Sequence, residues 1–144
     1  MAQTNVLVVE DESIVSKDIQ HSLKKLGYNV VGAAATGEQA VKLALETQPD
    51  IILMDIMLKG EMNGIEAATQ IRSETNIPVI FLTAYADEST LNKAKVTQPY
   101  GYIIKPFKEI DIHTSIEMAL YKHKKEAEVL KERDLLFNLV EGQG

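Results

Sequence analysis

The chain has 144 residues, a formal net charge of -6 and no cysteine, and 45% of its residues are hydrophobic. This length suits one domain with a sizeable core, and the lack of cysteine excludes disulfides, thiolate chemistry and Cys-based metal sites. The negative charge argues against direct binding to nucleic acid or to an anionic membrane. Because no apolar run could span a membrane and the N-terminal MAQTN lacks secretory-signal features, we expect a cytoplasmic protein.

Five short apolar runs alternate with segments of helical periodicity along the chain. Each run is continuously hydrophobic, which is typical of strands in a parallel sheet covered on both faces. The segments between them are long enough for the crossovers that parallel strands need. The alternation predicts a (βα)5 fold with a doubly wound five-stranded parallel sheet, for which the strand order 2-1-3-4-5 is common. The predicted strands are Val6 to Val9, Val30 to Ala34, Ile51 to Met54, Val79 to Leu82 and Tyr102 to Ile104.

The first three predicted helices carry clear boundary signals. The first ends at Gly27, a residue that commonly stops helices. The second opens at Thr36 with Gln39 three residues on, and the third follows Asn63 with Glu66 three residues on. Both spacings are typical of capped helix N-termini. These signals fix where three of the crossovers begin or end.

The fourth helix, roughly Ser89 to Gln98, has the weakest apolar face. Only Leu91, Ala94 and Val96 are available to bury. We therefore expect it to be the most weakly held helix of the fold.

The fifth helix begins near Lys108 and meets no obvious stop before Asp134. Eight of the twelve residues from His123 to Asp134 are charged, so a solvated helical tail is one interpretation. A coiled-coil seam is the other, because a 4-3 spacing is present. We divide the chain into a domain at residues 1–122 and a charged helical linker at 123–144. The linker would lead to an absent or truncated output module, or it would support a homodimer. The seam runs through Ile116, Leu120, His123, Ala127, Leu130, Asp134 and Phe137.

Polar residues follow several predicted strands at their carboxyl ends. Glu10 and Asp11 follow the first strand and Asp55 follows the third. Open α/β sheets bind ligands at this edge, where the strand order reverses between the first and third strands. Thr83 and Lys105 follow the fourth and fifth strands. Singly, each residue also fits a turn, a helix cap or the surface, but their joint placement favours a ligand site.

This set of residues suits phosphoryl transfer. Clustered carboxylates bind Mg²⁺, with Mn²⁺ as an alternative, together with waters and phosphoryl oxygens. A carboxylate can also be the nucleophile that becomes an aspartyl phosphate. The metal and Lys105 would neutralise the charge of the transferring group, and the hydroxyl of Thr83 could hydrogen-bond one of its oxygens.

The sequence resembles the receiver domain of two-component response regulators, including the chemotaxis receivers. Four motifs carry the resemblance: VLVVEDE, IILMDIML, PVIFLTA and GYIIKPF, which stand at the first, third, fourth and fifth predicted strands. The match covers about residues 4 to 122. It implies a flavodoxin-like fold, with an extended fifth helix in this chain, and a role as a phosphorylation-dependent signalling switch.

The resemblance also assigns roles to individual residues. It implies that Asp55 accepts a phosphoryl group from a histidine kinase or a phosphotransfer protein, and that Lys105 pairs with that group. Asp11, Asp55 and the backbone carbonyl of Met57 would bind Mg²⁺, while Glu10 would hold a metal-bound water. Such a chain is not an enzyme, since it promotes only its own phosphorylation and dephosphorylation.

The resemblance further implies a switch and a cis peptide bond. Thr83 would move toward the phosphoryl group and Tyr102 would turn inward, relaying the change to the surface of the fourth helix, fifth strand and fifth helix. The alternative for Tyr102 is half-buried packing with its hydroxyl in water. The bond from Lys105 to Pro106 is typically cis in the family.

The loop after Asp55 departs from the family pattern. Receivers commonly have a proline four residues after the phosphoacceptor and a glycine eight after it, whereas here Lys59 replaces the proline and Gly64 comes nine residues on. We expect a longer loop. Met57 and Tyr85 occupy positions that in this family influence how fast the phosphoryl group is lost.

Two other functions remain as alternatives. A degenerate receiver would act as an interaction module without phosphorylation. A Mg²⁺-dependent aspartyl-phosphate hydrolase of the haloacid-dehalogenase type needs an acid two residues after its nucleophile, and that residue is Met57 here.

Overall fold

The computed structural model describes residues 3–84 and 88–142, in which strands and helices alternate along the chain. All neighbouring strands pair in parallel, in the order β2-β1-β3-β4-β5. The predicted fold class and strand order are therefore confirmed. The strands are β1 (Asn5–Val9), β2 (Asn29–Ala34), β3 (Ile51–Asp55), β4 (Val79–Thr83) and β5 (Gly101–Ile104). The helices are α1 (Ser13–Lys25), α2 (Gly37–Thr47), α3 (Gly64–Glu74), α4 (Glu88–Lys95) and α5 (Glu109–Gly142).

The sheet has an apolar layer on each of its faces. In β1, Leu7 and Val9 pack into the layer formed with α2, α3 and α4, while Val6 and Val8 pack into the layer formed with α1 and α5. Successive side chains of a strand point to opposite faces, so a strand covered on both sides must be apolar throughout. This is why the predicted strands read as continuous hydrophobic runs.

The start of α3 lies against the strand that carries the candidate phosphoacceptor. Asn63 Oδ1 accepts a hydrogen bond from the backbone N–H of Glu66 at 2.9 Å, and Glu66 Oε1 accepts one from the backbone N–H of Asn63 at 3.1 Å. This reciprocal pair is the predicted cap. A Cβ on Gly64 would lie 2.0 Å from the carbonyl oxygen of Asp55, so a side chain at this position could not be accommodated without moving the backbone.

Helix α4 ends earlier than the sequence predicted, at Lys95 rather than near Gln98. Ala94 is buried as expected, but Val96 is 82% exposed, so its predicted place in the core is wrong. The reason is a turn that follows the helix, in which Gln98 adopts a positive φ of 53°. Thr97 is buried instead, and its hydroxyl donates to the carbonyl of Ala94 at 2.7 Å.

The predicted seam on α5 is wrong in its first half. Ile116 is fully buried in the core and Leu120 packs against it. The Nε2 atom of His123 lies 2.7 Å from the carbonyl oxygen of Asn76. From 124 to 138 every side chain is exposed, and we call this segment the exposed half of α5. Within residues 3–84 and 88–142, no helix is both long enough and apolar enough to cross a membrane.

Candidate functional site

Three carboxylates lie together at the carboxyl edge of the sheet. Each of Glu10, Asp11 and Asp55 places an oxygen within 4.8 Å of an oxygen of the other two. Strands β1 and β3 are neighbours, with Val9 opposite Met54, so the residues that follow them emerge side by side. Glu10 and Asp55 are only 2% and 4% exposed, whereas Asp11 is partly exposed. The structure thus brings together carboxylates that are 45 residues apart in sequence.

Lys105 connects two of these carboxylates. Its Nζ donates to Glu10 Oε1 at 2.6 Å and to Asp55 Oδ2 at 2.9 Å. It reaches them from the end of β5, and its bond to Pro106 is cis, as the family resemblance implied. One ammonium therefore faces two buried carboxylates, which leaves one negative charge in excess when all three groups are ionised.

The excess charge shows in the protonation of the site. Burial, which has the largest effect, and the neighbouring Asp55 together raise the pKa of Glu10 to about 8, although Lys105 opposes the rise. Burial alone would lower the pKa of Lys105, but its hydrogen bonds to Glu10 and Asp55 outweigh this effect and raise it. Without a further cation, the site therefore favours taking up a proton.

The donor set fits a hard divalent cation. Three converging carboxylates offer oxygen ligands of the kind that Mg²⁺ and Mn²⁺ accept. Glu10 Oε2 is buried, and no group within residues 3–84 and 88–142 hydrogen-bonds to it. Met57 stands two residues after Asp55, and its backbone N–H donates to Asp55 Oδ1 at 2.9 Å. The residues that the sequence analysis assigned to Mg²⁺ thus lie at one place in the fold.

Thr83 and Tyr102 lie on the two strands beside the carboxylates. Thr83 ends β4, is 1% exposed and pairs with Ile104 across the ladder. The Tyr102 ring packs against Phe81, with ring centroids 6.1 Å apart. Its hydroxyl is buried and has no hydrogen-bond partner in the described part of the chain, so it does not lie in water. This burial raises the pKa of Tyr102. Tyr85, by contrast, lies outside the described residues.

One contact of the site was not anticipated from the sequence. The backbone N–H of Lys59 donates to Asp11 Oδ2 at 3.2 Å. The next residue, Gly60, has a φ of 101°, a conformation that glycine adopts readily. A non-proline residue at position 59 was the one available signal, because proline has no N–H to donate.

Residues 6–117 match the family model described as the response regulator receiver domain. The chain belongs to this family. Among curated proteins, the receiver is 34% identical to the transcriptional regulatory protein PdtaR of Mycobacterium tuberculosis over 119 residues, covering 83% of this chain and 58% of that protein. It is also 34% identical to the phyllosphere-induced regulator PhyR of Methylorubrum extorquens, covering 82% of this chain and 44% of that protein. The receiver spans about half the length of these relatives.

Solved receiver structures agree with this fold. The receiver domain of a modulated diguanylate cyclase from Desulfovibrio desulfuricans superposes with a TM-score of 0.82 at 41% identity, covering 87% of this receiver and 99% of that chain. The receiver domain of a sensor histidine kinase from Pseudomonas aeruginosa superposes with a TM-score of 0.76 at 31% identity, covering 83% and 98%. That domain holds a magnesium ion coordinated in its active-site cleft.

Proposed function

We propose that this receiver is a phosphorylation-dependent switch in which Asp55 accepts a phosphoryl group from a histidine kinase or a phosphotransfer protein. The contact of Lys105 Nζ with Asp55 Oδ2, beside the other two carboxylates, carries the proposal. A buried aspartate with a neighbouring ammonium and a divalent-cation donor set has the groups that phosphoryl transfer needs. A carboxylate that served only as a helix cap would need none of them.

In the transfer step, a carboxylate oxygen of Asp55 attacks the phosphorus of a phosphohistidine. The O–P bond forms as the P–N bond breaks, and the imidazole leaves with the electron pair. The ammonium of Lys105 pairs first with the carboxylate and then with the phosphoryl oxygens as the negative charge moves onto them. Thr83 donates a hydrogen bond to one of these oxygens. The groups of the chain act only on its own aspartate, so its chemistry is limited to its own phosphorylation and dephosphorylation.

The metal belongs to the same proposal. Asp11, Asp55 and the carbonyl of Met57 would hold Mg²⁺ directly, and Glu10 would hold one of its waters. When bound, Mg²⁺ neutralises the negative charge of the carboxylates and of the phosphoryl oxygens. The excess negative charge and the unpartnered oxygen of Glu10 support this assignment.

The signal then leaves through β4 and β5. Thr83 lies opposite Ile104, and Phe81 lies opposite Tyr102 in the same parallel pair. A shift of Thr83 toward a phosphoryl group therefore changes the packing beside Tyr102, which lies next to α4 and α5. Phosphorylation biases a two-state equilibrium of this α4-β5-α5 surface.

The phosphoacceptor is tested with a small phosphodonor. Acetyl phosphate and Mg²⁺ are expected to add one phosphoryl group, about 80 Da by intact-mass spectrometry, to the wild-type chain and none to Asp55→Asn. Asp50→Asn is the matched control, because Asp50 precedes the same strand at the opposite edge of the sheet and accepts a hydrogen bond from the Asn5 N–H at 2.7 Å. It should be phosphorylated like the wild type. An unmodified wild-type chain would instead favour the degenerate receiver.

We also propose that the exposed half of α5 is a contact surface between two copies of the chain. It presents five large apolar side chains to solvent, and Glu126 in the same segment accepts a hydrogen bond from the Tyr100 hydroxyl. Apolar patches of this kind commonly mark interaction sites. The five residues are Val129, Leu130, Leu135, Leu136 and Phe137.

A further inference from the structure

The loop between β3 and α3 brings a backbone donor to the carboxylates. Lys59 stands where receivers commonly have proline, and its N–H donates to Asp11 Oδ2 at 3.2 Å. A proline in this position would have no hydrogen to donate. The replacement therefore gives this chain a contact that the usual residue cannot make.

The three carboxylates of the site are held in two different ways. Lys105 contacts Glu10 and Asp55 through its ammonium. Asp11 is more exposed than either, and the hydrogen bond from the Lys59 N–H holds its carboxylate. A side chain that already points into the site loses less conformational entropy when a ligand binds.

We propose that Lys59 is a positioning residue for the divalent cation, acting through its backbone N–H rather than its ammonium. The N–H orients Asp11 toward the other carboxylates before the cation arrives. This inference rests on the proposed function in one respect, namely that Asp11 is a ligand of Mg²⁺. Hydrogen-bond partners of metal ligands typically change metal affinity by about 10- to 100-fold, and for a partly exposed bond we expect about tenfold.

Two substitutions at position 59 separate the N–H from the ammonium. Lys59→Ala removes the charge and keeps the N–H, so Mg²⁺ affinity by isothermal titration calorimetry should stay within about twofold of the wild type. Lys59→Pro removes both, and affinity should fall about tenfold. Urea unfolding in EDTA checks that both variants fold as stably as the wild type. Equal Mg²⁺ affinities for the two variants would overturn the proposal.

A proline also changes the shape of a loop, so a double-mutant cycle is needed. In an Asp11→Ala background, Lys59→Pro should cause no further loss of Mg²⁺ affinity, because the side chain that accepts the hydrogen bond has already been removed. A further tenfold loss there would show that the loop acts independently of Asp11, and would overturn the inference.

A spectroscopic measurement does not depend on the proline variant. The amide proton of Lys59 should have a different chemical shift in the wild-type chain and in Asp11→Ala, measured in ¹⁵N-resolved NMR spectra, and an unmoved resonance would count against the bond. Equal affinities of the two variants in a chain that is still phosphorylated refute this inference alone. A wild-type chain that neither binds Mg²⁺ nor becomes phosphorylated refutes the proposed function as well.

Discussion

Charged residues occupy two regions of this receiver with opposite physical consequences. At the carboxyl edge of the sheet, Lys105 lies between the buried carboxylates of Glu10 and Asp55. In the exposed half of α5, Lys125 and Glu128 approach to 3.4 Å with side chains that are 54% and 47% exposed. Exposed pairs contribute little because water screens them, whereas an uncompensated buried charge costs several kcal/mol. The same residue types tune protonation and cation binding in one region and keep a helix solvated in the other.

The largest expected effect comes from removing the buried cation. Lys105→Met leaves Glu10 and Asp55 without their shared ammonium, and we expect a loss of about 3 kcal/mol in the free energy of unfolding at pH 9 in EDTA. The loss should be smaller at pH 6, because Glu10, whose pKa is about 8 in the folded chain, is protonated there. Urea unfolding at the two pH values measures both effects.

Lys125→Met is the matched control for the exposed region. It breaks the pair with Glu128, yet it should change the free energy of unfolding by less than about 0.5 kcal/mol at either pH. If the two lysine variants lost similar stability, the contrast between the regions would be wrong.

A more gradual effect, spread over several pH units, is expected from the titration of Glu10. Its pKa is about 8 in the folded chain against 4.5 for an unperturbed glutamate, so folding favours the protonated form. The stability that this proton contributes is fully present below about pH 4.5 and is lost as the pH rises through about 8. In EDTA, the free energy of unfolding should therefore decrease across this range, by at most about 1.4 kcal/mol per pH unit from this group.

Glu10→Gln tests this assignment because glutamine has nearly the same shape and does not titrate. Urea unfolding of the variant should show a flatter pH dependence between pH 5 and 8. Glu128→Gln, in the exposed region, should keep the wild-type slope. A wild-type slope in Glu10→Gln would assign the pH dependence to other groups.

Much of this site could be predicted from the sequence because topology determines it. An apolar run that ends in acids, such as the one before Glu10, places those acids at the carboxyl edge of a parallel sheet. The direct pair between Lys105 and Glu10 could not be predicted in this way, because it depends on side-chain conformations across 95 residues of sequence. The hydrogen bond from the Lys59 N–H to Asp11 could not be predicted either, because every residue except proline has a backbone N–H and the sequence does not show where it points.

The errors of the sequence-based predictions have local causes. Val96 follows the helical period of α4, but the turn that ends the helix directs it to solvent and buries Thr97. Ile116 and Leu120 fit the 4-3 spacing of a coiled coil, yet the same spacing serves a helix that packs on a sheet. Periodicity shows which face of a helix is apolar, not what covers it.

The smallest effect on stability is expected where the apolar face of α5 is uncovered. Leu130 is 52% exposed, so Leu130→Gln should change the free energy of unfolding by less than about 0.5 kcal/mol. Its effect on association should be larger, since an isolated exposed helix of this length is only marginally stable and gains most from a partner.

By light scattering, we expect the full chain to be a dimer and both Leu130→Gln and a chain ending at Lys122 to be smaller species. The point variant is the cleaner test because it keeps the contacts of His123 with Asn76 and of Tyr100 with Glu126, which the shortened chain loses. If both variants had the same mass in solution as the full chain, the exposed half of α5 would be a solvated tail and not a dimer contact.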